Sequence, residues 1–596
     1  MRTRPLTTAA ALLTLTSALA LAGPAVAVAA GSPGPLYDEN GKLVPEPFPP
    51  GEGPPRLGEK AVVAAFLRVS KVADWVDRYP HNLATDATFD RKARTWAVHV
   101  WSGRAGEIAT GTVTDRGAVS EAWTGPQVAW KMARGRPGAF GGKLLTSWPV
   151  WLGLSAVFFL GLVDLRRPLT TSTLDLLVLL SFGVSLAFFN RGEVFQSAAL
   201  AAPPLAYLLA RTAWIGCRRS ARPRLPVPRW PVWALVAATL FLVGFRAGLD
   251  VQNPRTVIDV GYAGVIGADR IMDGRAPYGA MPVEAGKPCG PAASDGEIRD
   301  RIQANGRCES ANPSGDTYGP VAYLAYVPAV AVLGWSGRWD QLPAAHATAI
   351  AFDVLVLLGL VLVGRRLGGT RLAVILAFGW AAYPFTTYAL MSNTNDTIMP
   401  ALLVWGFWLA SSPAARGVAT ALAGWTKFAA LALAPLWLTY RSIDRPVRMA
   451  RFALGFALAS LAAFSILLLE PSLGDAIRTF WDRTFGFQLD RESPFSIWGW
   501  GQYHARGIPN LSSVRTVVQV GTIALAGVVA LVPRRKGPLE LAALTAAVLL
   551  AVELSLTHWF YLYLPWVLPF VLLALFLPRE DVPAAQPEPA PAESGP

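Results

Sequence analysis

Residues 347–364, ATAIAFDVLVLLGLVLVG, form an apolar run in which Asp353 is the single charged side chain. A helix of this composition is long enough to cross the hydrocarbon core of a bilayer, which takes about 20 apolar residues. Comparable stretches occur along the chain, near 147–164, 174–189, 195–212, 230–248, 319–335, 372–391, 396–411, 416–440, 450–470, 513–533, 539–554 and 557–577. The sequence therefore predicts an all-α polytopic membrane protein with about 11–13 transmembrane helices.

Composition supports this class. The chain has 596 residues, of which 53% are hydrophobic and 16% charged, and its mean hydropathy is +0.37. Soluble domains carry about 25% charged residues, so these values exclude a soluble enzyme and a disordered or fibrous protein. The net charge of +13 would suggest nucleic-acid binding in a soluble chain. In a membrane protein it reports instead the basic residues that collect at the cytoplasmic ends of spans, and no nucleic-acid partner is expected.

The N-terminal region predicts an exported domain. Residues 1–30 have the order of a signal peptide, with Arg2 and Arg4 before an apolar core and small residues after it. The alternative is a first transmembrane helix that stays uncleaved. A Pro/Gly-rich linker follows at 31–57, and then a small exported α+β domain at 58–140. This domain is expected to contain one helix over 59–76 and three strands, with a hairpin turn at 115–117. It resembles PepSY-like domains, and His99 is interpreted as an ordinary strand residue.

Basic loops define the predicted topology. The Arg166-Arg167 pair, the Arg218–Arg229 loop, the Arg441–Arg451 loop and Arg534-Arg535-Lys536 all fall inside if the N-terminal domain is outside. Three accessory helices with a basic inner loop then occupy 147–229, two long loops at 249–318 and 471–512 lie outside, and 578–596 forms a disordered cytoplasmic tail. The middle has two solutions. Five crossings between 319 and 440 would place Arg365 and Arg366 outside, whereas three crossings with two re-entrant segments would place them inside.

Two of the three cysteines, Cys289 and Cys308, share the first long loop. An exported pair favours a disulfide, which in the chain-entropy model contributes roughly 3 kcal/mol for a loop of this size. A zinc site is the alternative, but this loop contains no histidine to complete it.

Four acidic residues, Asp250, Asp259, Asp269 and Asp273, begin the first long loop, and a Gly-x-x-Pro-Tyr278 element and a Tyr318-Gly-Pro return follow them. This arrangement resembles the first outer loop of the C-type (GT-C) superfamily of membrane glycosyltransferases, and more narrowly glycosyltransferase family 87, the polyprenyl-phosphate-mannose-dependent mannosyltransferase-like proteins. The resemblance covers about 230–577. Three further segments match in order: Asn393-Thr-Asn395-Asp396, Gly424-Trp-Thr-Lys427-Phe428 and Ser493-Pro-Phe-Ser-Ile-Trp498-Gly.

The resemblance implies an enzyme of the cell envelope that moves a hexose, mannose being the family's commonest sugar, from a polyprenyl-phosphate donor to a hydroxyl. The acceptor would be a lipid, a glycan or a protein at the outer face of the plasma membrane. By position, the family's catalytic aspartate is Asp259, with Asp269 as the second candidate, and it would accept the proton of the hydroxyl. The phosphate that leaves needs cations or donors, and the candidates are Lys427, Arg255, Arg270 and His504.

Other residues of these motifs are candidates for binding the substrates: Tyr278, Tyr318, Asn395, Asp396, Trp498, Trp500 and Tyr503. No protein metal site is predicted, and a divalent cation is left open as a cofactor. Each candidate has a structural alternative. Lys427 is predicted inside an apolar helix, where it would face a cavity or snorkel to an interface. Asn395 and Asp396 would serve as a helix N-cap, and the aromatic residues with His504 would anchor the chain at the interface.

Two other functional classes remain open at this point. A transporter or flippase of lipid-linked sugars would also have many spans and an intramembrane lysine. A non-enzymatic cell-envelope protein would use its exported domain to bind the wall or a partner, and it would have no use for acidic residues in an outer loop.

Overall fold

In a computed structural model of the chain, the described residues are 53–79, 83–102, 106–124, 145, 147–218, 228, 230–253, 256–281, 299–302, 308–311, 315–335, 342–490, 493, 495–500 and 510–578. The predicted signal peptide lies outside them, as do nearly all of the predicted linker and the predicted tail. Arg255, Cys289, Tyr503 and His504 lie outside them as well. Cys308 is described in its backbone only, so the disulfide stays a prediction.

The N-terminal unit contains two helices and a sheet. The helices are α1 (Glu59–Leu67) and α2 (Ser70–Val76), and the strands are β1 (Ala84–Asp90), β2 (Thr95–Ser102), β3 (Gly106–Thr114) and β4 (Val119–Thr124). The sheet is antiparallel in the order β1-β2-β3-β4. Its core is formed by buried apolar side chains of α1 and the inner face of the sheet, including Val62, Phe66, Val98, Val100 and Ile108.

Two details of this unit correct the prediction. The expected single helix is two helices, because Val69 has an extended backbone (ψ 122°) that ends α1 and starts α2. The sheet has a fourth strand, β1, which pairs with β2 from Ala84 to Asp90. Its sequence, ATDATFD, is polar and mostly exposed, so it lacks the apolar alternation by which strands are found.

The remainder of the described chain is mainly helical. The helices are α3 (Trp148–Leu162), α4 (Thr171–Asn190), α5 (Val194–Cys217), α6 (Val232–Gln252), α7 (Asp259–Met272), α8 (Pro320–Leu324), α9 (Val327–Leu333), α10 (Pro343–Ala382), α11 (Pro384–Met391), α12 (Ile398–Trp408), α13 (Pro413–Gly424), α14 (Ala434–Thr439), α15 (Pro446–Phe464), α16 (Leu473–Trp481), α17 (Phe487–Asp490), α18 (Ser512–Leu531), α19 (Pro538–Ser555) and α20 (Leu564–Phe576). Strands β5 (Arg299–Ile302) and β6 (Cys308–Ala311) form a separate antiparallel pair within the first long loop.

Within the described residues, seven helices are long and apolar enough to cross a membrane, and the shorter apolar segments include Trp148–Leu162 and Phe428–Thr439. Each of the thirteen apolar stretches contains helix. The chain is therefore a mostly α-helical, multi-pass membrane protein that carries a small antiparallel sheet near its N-terminus.

The helices share two ends. At one end, which we call the loop end, lie the N-terminal unit, the 250–281 and 315–335 segments and the 470–500 segment. At the opposite end, which we call the basic end, the segments 216–218, 441–448, 533–540 and 577–578 surround one cavity. Helix α5 shows the relation, because it starts beside the N-terminal unit and ends at Cys217 in the cavity wall.

Helix α10 resolves the position of the two central arginines. His346, near its start, contacts Asp250 at the loop end, and Leu367 lines the cavity at the basic end. The helix then breaks at Gly368 and Gly369, whose backbone is non-helical, and the rest returns with α11 toward Asn393. Arg365 and Arg366 therefore lie at the basic end, together with the other basic loops. The predicted topology with five crossings between 319 and 440, which placed these two arginines on the opposite side, is wrong.

The chain makes five passes between residues 342 and 440, but they are not the five expected. The 320–333 segment stays at the loop end, where Val330 packs with Leu342 and Tyr262 in one buried cluster. The predicted 416–440 span is instead a hairpin, in which Arg416 of α13 donates from Nε to the Trp437 carbonyl (3.0 Å). The turn of this hairpin is 425–427, so Lys427 lies at a tip and not in the interior of an apolar helix.

The N-terminal unit docks on the turn between α4 and α5. Lys71 Nζ donates to the carbonyls of Ala122 (2.7 Å) and Gly192 (2.5 Å), and Ala122 N donates to the Arg191 carbonyl (3.3 Å). Trp123 packs edge-on against Phe189 at 5.7 Å. This contact fixes the unit at the loop end of the helices.

Candidate functional site

The site is built where the start of α7 meets the 392–396 turn. Ile258 N donates to the Ser392 carbonyl (3.2 Å), which fixes the residue directly before Asp259. A Cβ added at Gly261 would lie 2.3 Å from the Asn393 carbonyl oxygen, so only glycine allows this approach. Asp259 is the first residue of α7 and is half-buried, with Oδ1 accepting from Val260 N (2.9 Å). The first outer-loop motif and the Asn393 motif are thus brought together.

A fully buried carboxylate lies behind this turn. Asp250, at the end of α6, contacts His346 Nδ1 through Oδ2 (2.8 Å) and accepts from Asn393 Nδ2 through Oδ1 (2.8 Å). Asn393 has a left-handed backbone (φ 52°), which asparagine tolerates better than most residues. Both oxygens of Asp250 are engaged, so this carboxylate positions the imidazole and the turn.

An ion pair joins the hairpin tip to the start of α12. Lys427 Nζ lies 3.1 Å from Asp396 Oδ1, and Trp566 Nε1 donates to the same oxygen (3.0 Å). Both charged side chains are buried, with exposed fractions of 8% and 2%. The N-cap interpretation of Asn395 and Asp396 is wrong, because Thr394 is the cap and accepts from Asp396 N (3.1 Å). The Asp396 side chain is left to hold the lysine.

Aromatic rings surround this lysine. Its Nζ lies 4.3 Å from the ring centre of Tyr318, 5.7 Å from that of Trp566 and 5.9 Å from that of Tyr563. Tyr563 and Trp566 stack at 4.1 Å. A cation over aromatic faces is stabilised by their quadrupoles, and this is most effective where water is displaced. These rings stabilise the lysine side chain within a largely apolar wall.

Some buried polar atoms around the ion pair have no hydrogen-bond partner among the described residues. They are Oδ1 of Asn393 and of Asn395, Oγ1 of Thr397 and Oη of Tyr326. Buried polar atoms are nearly always paired, because an unpaired one costs about 1–3 kcal/mol. A group of them beside a buried cation indicates a place for a polar ligand.

The two long loops are tied together next to this place. Arg483 donates to both oxygens of the buried Asp316 at 2.5–2.9 Å, and Gly279 N donates to Asp316 Oδ2 (2.6 Å). Glu470 accepts from Ala276 N (2.8 Å). Hydrogen bonds from the Arg483 guanidinium to Asp316 raise the pKa of Arg483. Arg483 lies in a π-helical turn, Asp482–Gly486, a geometry found often at functional sites.

Tyr278 and Tyr318 meet in the return of the first loop. Tyr278 Oη donates to the Tyr318 carbonyl (3.1 Å) and its ring packs edge-on against Phe480 at 5.1 Å. Burial, and then the Asp316 charge, raise the pKa of Tyr278 well above its usual value. Tyr278 is therefore a neutral donor that orients the backbone of Tyr318, whose ring faces Lys427.

Not every predicted residue joins this group. Asp269 and Arg270 lie at the far end of α7, about 15 Å along the helix from Asp259. Arg270 Nε donates to the Ala276 carbonyl (3.0 Å), and burial followed by the Asp273 charge raises the pKa of Asp269. Trp498 is buried and donates to the Leu554 carbonyl (2.8 Å), and Trp500 packs against Phe195. These contacts give both tryptophans a packing role.

Several residues of the site were not singled out from the sequence: His346, Tyr563, Trp566 and Arg483. Asn393 stands in a matched segment, but no role was predicted for it. A histidine at the start of an apolar span carries a signal, because ionisable groups there are rare. Tyr563 and Trp566 carry none, since a tryptophan or tyrosine near a span end is ordinary interface composition. Arg483 is one of several charged residues of the second long loop, and nothing in the sequence distinguishes it from the others.

Among the described residues, no group of three or more His, Cys, Asp or Glu side chains is arranged to hold a metal ion. The Asp396 carboxylate is paired with Lys427.

Comparison of the chain with protein-family models, with curated proteins and with solved structures finds no match.

Proposed function

We propose that this protein is a membrane glycosyltransferase that takes a hexose, mannose in the first instance, from a polyprenyl-phosphate donor. The proposal rests on the meeting of distant sequence segments in space. Four segments far apart in the sequence, which contain Asp259, Tyr318, Asn395-Asp396 and Lys427, meet at one end of the helix bundle. A buried cation, unpaired polar atoms and a half-buried carboxylate in one place suit a phosphorylated sugar.

The proposed reaction forms one bond and breaks one. The acceptor hydroxyl oxygen attacks the anomeric carbon of the donor sugar, and the bond from that carbon to the phosphate oxygen breaks. Asp259 accepts the hydroxyl proton, and the polyprenyl phosphate leaves with the bonding electrons. A positioned carboxylate makes the hydroxyl a better nucleophile, and general-base catalysis of this kind typically raises the rate by about 10²–10⁴-fold.

Lys427 would bind the phosphate that leaves. Its cation lies where charge develops, and the surrounding rings exclude the water that would screen it. Asp396 holds the ammonium in place, while Tyr318 offers a ring face to the donor.

We propose the sidedness from the basic end. Arg218, Arg441 and Arg534 gather opposite the site, and by the positive-inside rule this supports a site and an N-terminal unit outside the plasma membrane. A donor already carried on a lipid would supply the sugar at that face without a cytosolic nucleotide. The acceptor is a hydroxyl of a lipid, a glycan or a protein.

The test uses the purified full-length protein in vesicles with radiolabelled polyprenyl-phosphate-mannose and a membrane lipid extract as the acceptor source. We expect label to move into a new product and polyprenyl phosphate to accumulate in equal amount. Donor that crosses the bilayer chemically unchanged would show a flippase, and donor that neither reacts nor moves would show a protein of another class.

A further inference from the structure

A cavity lies at the basic end, away from the proposed catalytic site. Its volume is about 1150 Å³, and its walls are formed by Leu367 and four segments: 216–218, 441–448, 533–540 and 577–578. Helix α19 connects the two places, since it begins in the cavity wall at Pro538 and ends near the site at Ser555, about 27 Å away. The cavity and the site therefore lie on opposite faces of the membrane.

Charge is concentrated around this cavity. One wall contributes Arg218, a second contributes Arg441, Arg445 and Arg448, and a third contributes Arg534, Arg535 and Lys536. Two acidic residues, Asp444 and Glu540, complete the charged lining, so the described walls carry an excess of five positive charges (seven minus two).

Both acidic side chains interact with other groups. Asp444 pairs with Arg534 at 3.2 Å, and both side chains are more than 70% exposed, so this pair contributes little. Glu540 accepts from Gly537 N (2.9 Å) and caps α19.

One cation is buried in the floor. Lys536 is 4% exposed and donates to the Ala530 carbonyl (2.9 Å). Burial lowers the pKa of Lys536 to about 8. An anion in the cavity would relieve that cost, because an opposite charge within a few ångströms favours the charged form.

A preference for basic residues at the cytoplasmic face explains which side of the membrane these arginines and Lys536 occupy, but not why they surround one cavity. Basic residues that only determine topology are spread over the loops, where water and salt screen them. Here two loops and the end of α5 contribute seven cations to the lining of one concave space. Arginine presents a planar fork of donors that matches phosphate oxygens, which makes this a chemically specific lining.

We propose that this cavity binds a phosphate-bearing anion, supplied either by the headgroup of an acidic phospholipid or by a soluble phosphorylated compound. The volume is ample for one headgroup, since small-molecule sites are typically about 300–1,000 Å³. The inference does not depend on sugar transfer, because the cavity shares no residue with the proposed catalytic site.

The test measures the thermal unfolding midpoint of detergent-purified full-length protein during titration with dioleoyl phosphatidylglycerol, dioleoyl phosphatidylcholine or glycerol 3-phosphate. We expect a saturable rise with phosphatidylglycerol and none with phosphatidylcholine. An equal rise with glycerol 3-phosphate would identify a soluble phosphate as sufficient, and its absence would identify the lipid; either result supports the cavity.

Variants and salt complete the test. Arg445→Gln and Arg535→Gln, both exposed, should each weaken the apparent affinity about tenfold, whereas Arg167→Gln, in another basic loop, should not. In the unchanged protein, raising salt from about 0.1 to 1 M should also weaken binding. Equal rises with phosphatidylcholine, a salt-independent rise, or equal loss in the Arg167 variant would overturn the proposal.

Discussion

The Lys427 ammonium lies 3.1 Å from Asp396 Oδ1, in a pair that joins the tip of one helical hairpin to the start of another helix. Trp566 binds the same carboxylate oxygen, and Tyr318 covers the lysine. The pair is buried, so loss of either partner would leave the other without its contact in an apolar environment.

Breaking this pair from one side is expected to be costly. Asp396→Asn should destabilise the protein by about 3–5 kcal/mol, because it leaves the lysine buried without a counter-charge. Lys427→Met should lose donor binding as well as stability. The measurement is the thermal unfolding midpoint, together with the KM for the lipid-linked donor. Double replacement, Lys427→Met with Asp396→Leu, should recover stability but not donor binding; recovery of both would remove the lysine from the proposed phosphate site.

Close approach at Gly261 should be essential to the site. Gly261→Ala places a methyl group 2.3 Å from the Asn393 carbonyl, and the shift needed should cost about 1–3 kcal/mol and impair transfer. Gly248→Ala, in α6, is the matched control because nothing lies within 4 Å of its added carbon. That control should be neutral or stabilising by up to about 1 kcal/mol. Equal activity in the two variants would show that the contact between α7 and the 392–396 turn is dispensable.

The buried Arg246–Asp353 pair should hold the helix bundle together away from the site. Arg246 Nη2 lies 2.5 Å from Asp353 Oδ2, and Trp380 donates to Oδ1 of the same aspartate (2.8 Å). Arg246→Met should lower stability by about 3–5 kcal/mol, whereas Arg246→Met with Asp353→Leu should restore most of it. The measurement is the thermal unfolding midpoint of the unchanged protein, the single variant and the double variant. A double variant as unstable as the single one would mean that the pair is not the source of the loss.

Docking of the N-terminal unit should depend on pH. Burial lowers the pKa of Lys71 from 10.5 to about 8 in the docked protein. Between these values the undocked unit binds more protons, so docking should strengthen as pH rises from about 8 towards 10.5. Lys71→Met removes this titration and, by leaving the carbonyls of Ala122 and Gly192 without their donor, weakens docking at every pH.

Spin labels at exposed positions 60 and 152 would report this docking as a narrowing distance distribution with rising pH. A distribution that broadens as pH rises, or one that responds equally in the Lys71→Met variant, would contradict the assigned role of Lys71.

The helices were predictable because the length of an apolar stretch is a strong signal. The basic loops were predicted at one end because positively charged residues prefer the cytoplasmic side of a membrane. The prediction is wrong at 416–440, where a mainly apolar stretch folds as a hairpin whose turn, Trp425-Thr-Lys427, follows Gly424. The prediction of a span at 319–335 is also wrong, because its helical part, 320–333, is short and packs on α7 at the loop end. A high hydropathy indicates only that a segment is buried in an apolar environment. It does not distinguish a segment that spans the lipid from one that is buried inside the protein.

The site was predictable in part for a similar reason. The sequence marks Lys427 as an unusual charge in an apolar segment and Asp396 as a motif residue, yet their pairing depends on a hairpin that composition does not show. Asp269 and Arg270 were grouped with Asp259 by proximity in sequence. They lie near opposite ends of the same 14-residue helix, because each residue advances about 1.5 Å along its axis.

The central claim concerns Asp259, and the most direct measurement compares sugar transfer by Asp259→Asn and Asp269→Asn in the same vesicles. Both replacements are isosteric, and both positions lie on α7, so insertion and folding should match the unchanged protein. We expect Asp259→Asn to lower kcat by about 10²–10⁴-fold with little change in KM for the donor, and Asp269→Asn to retain most activity. Full transfer by the Asp259→Asn protein would contradict the account.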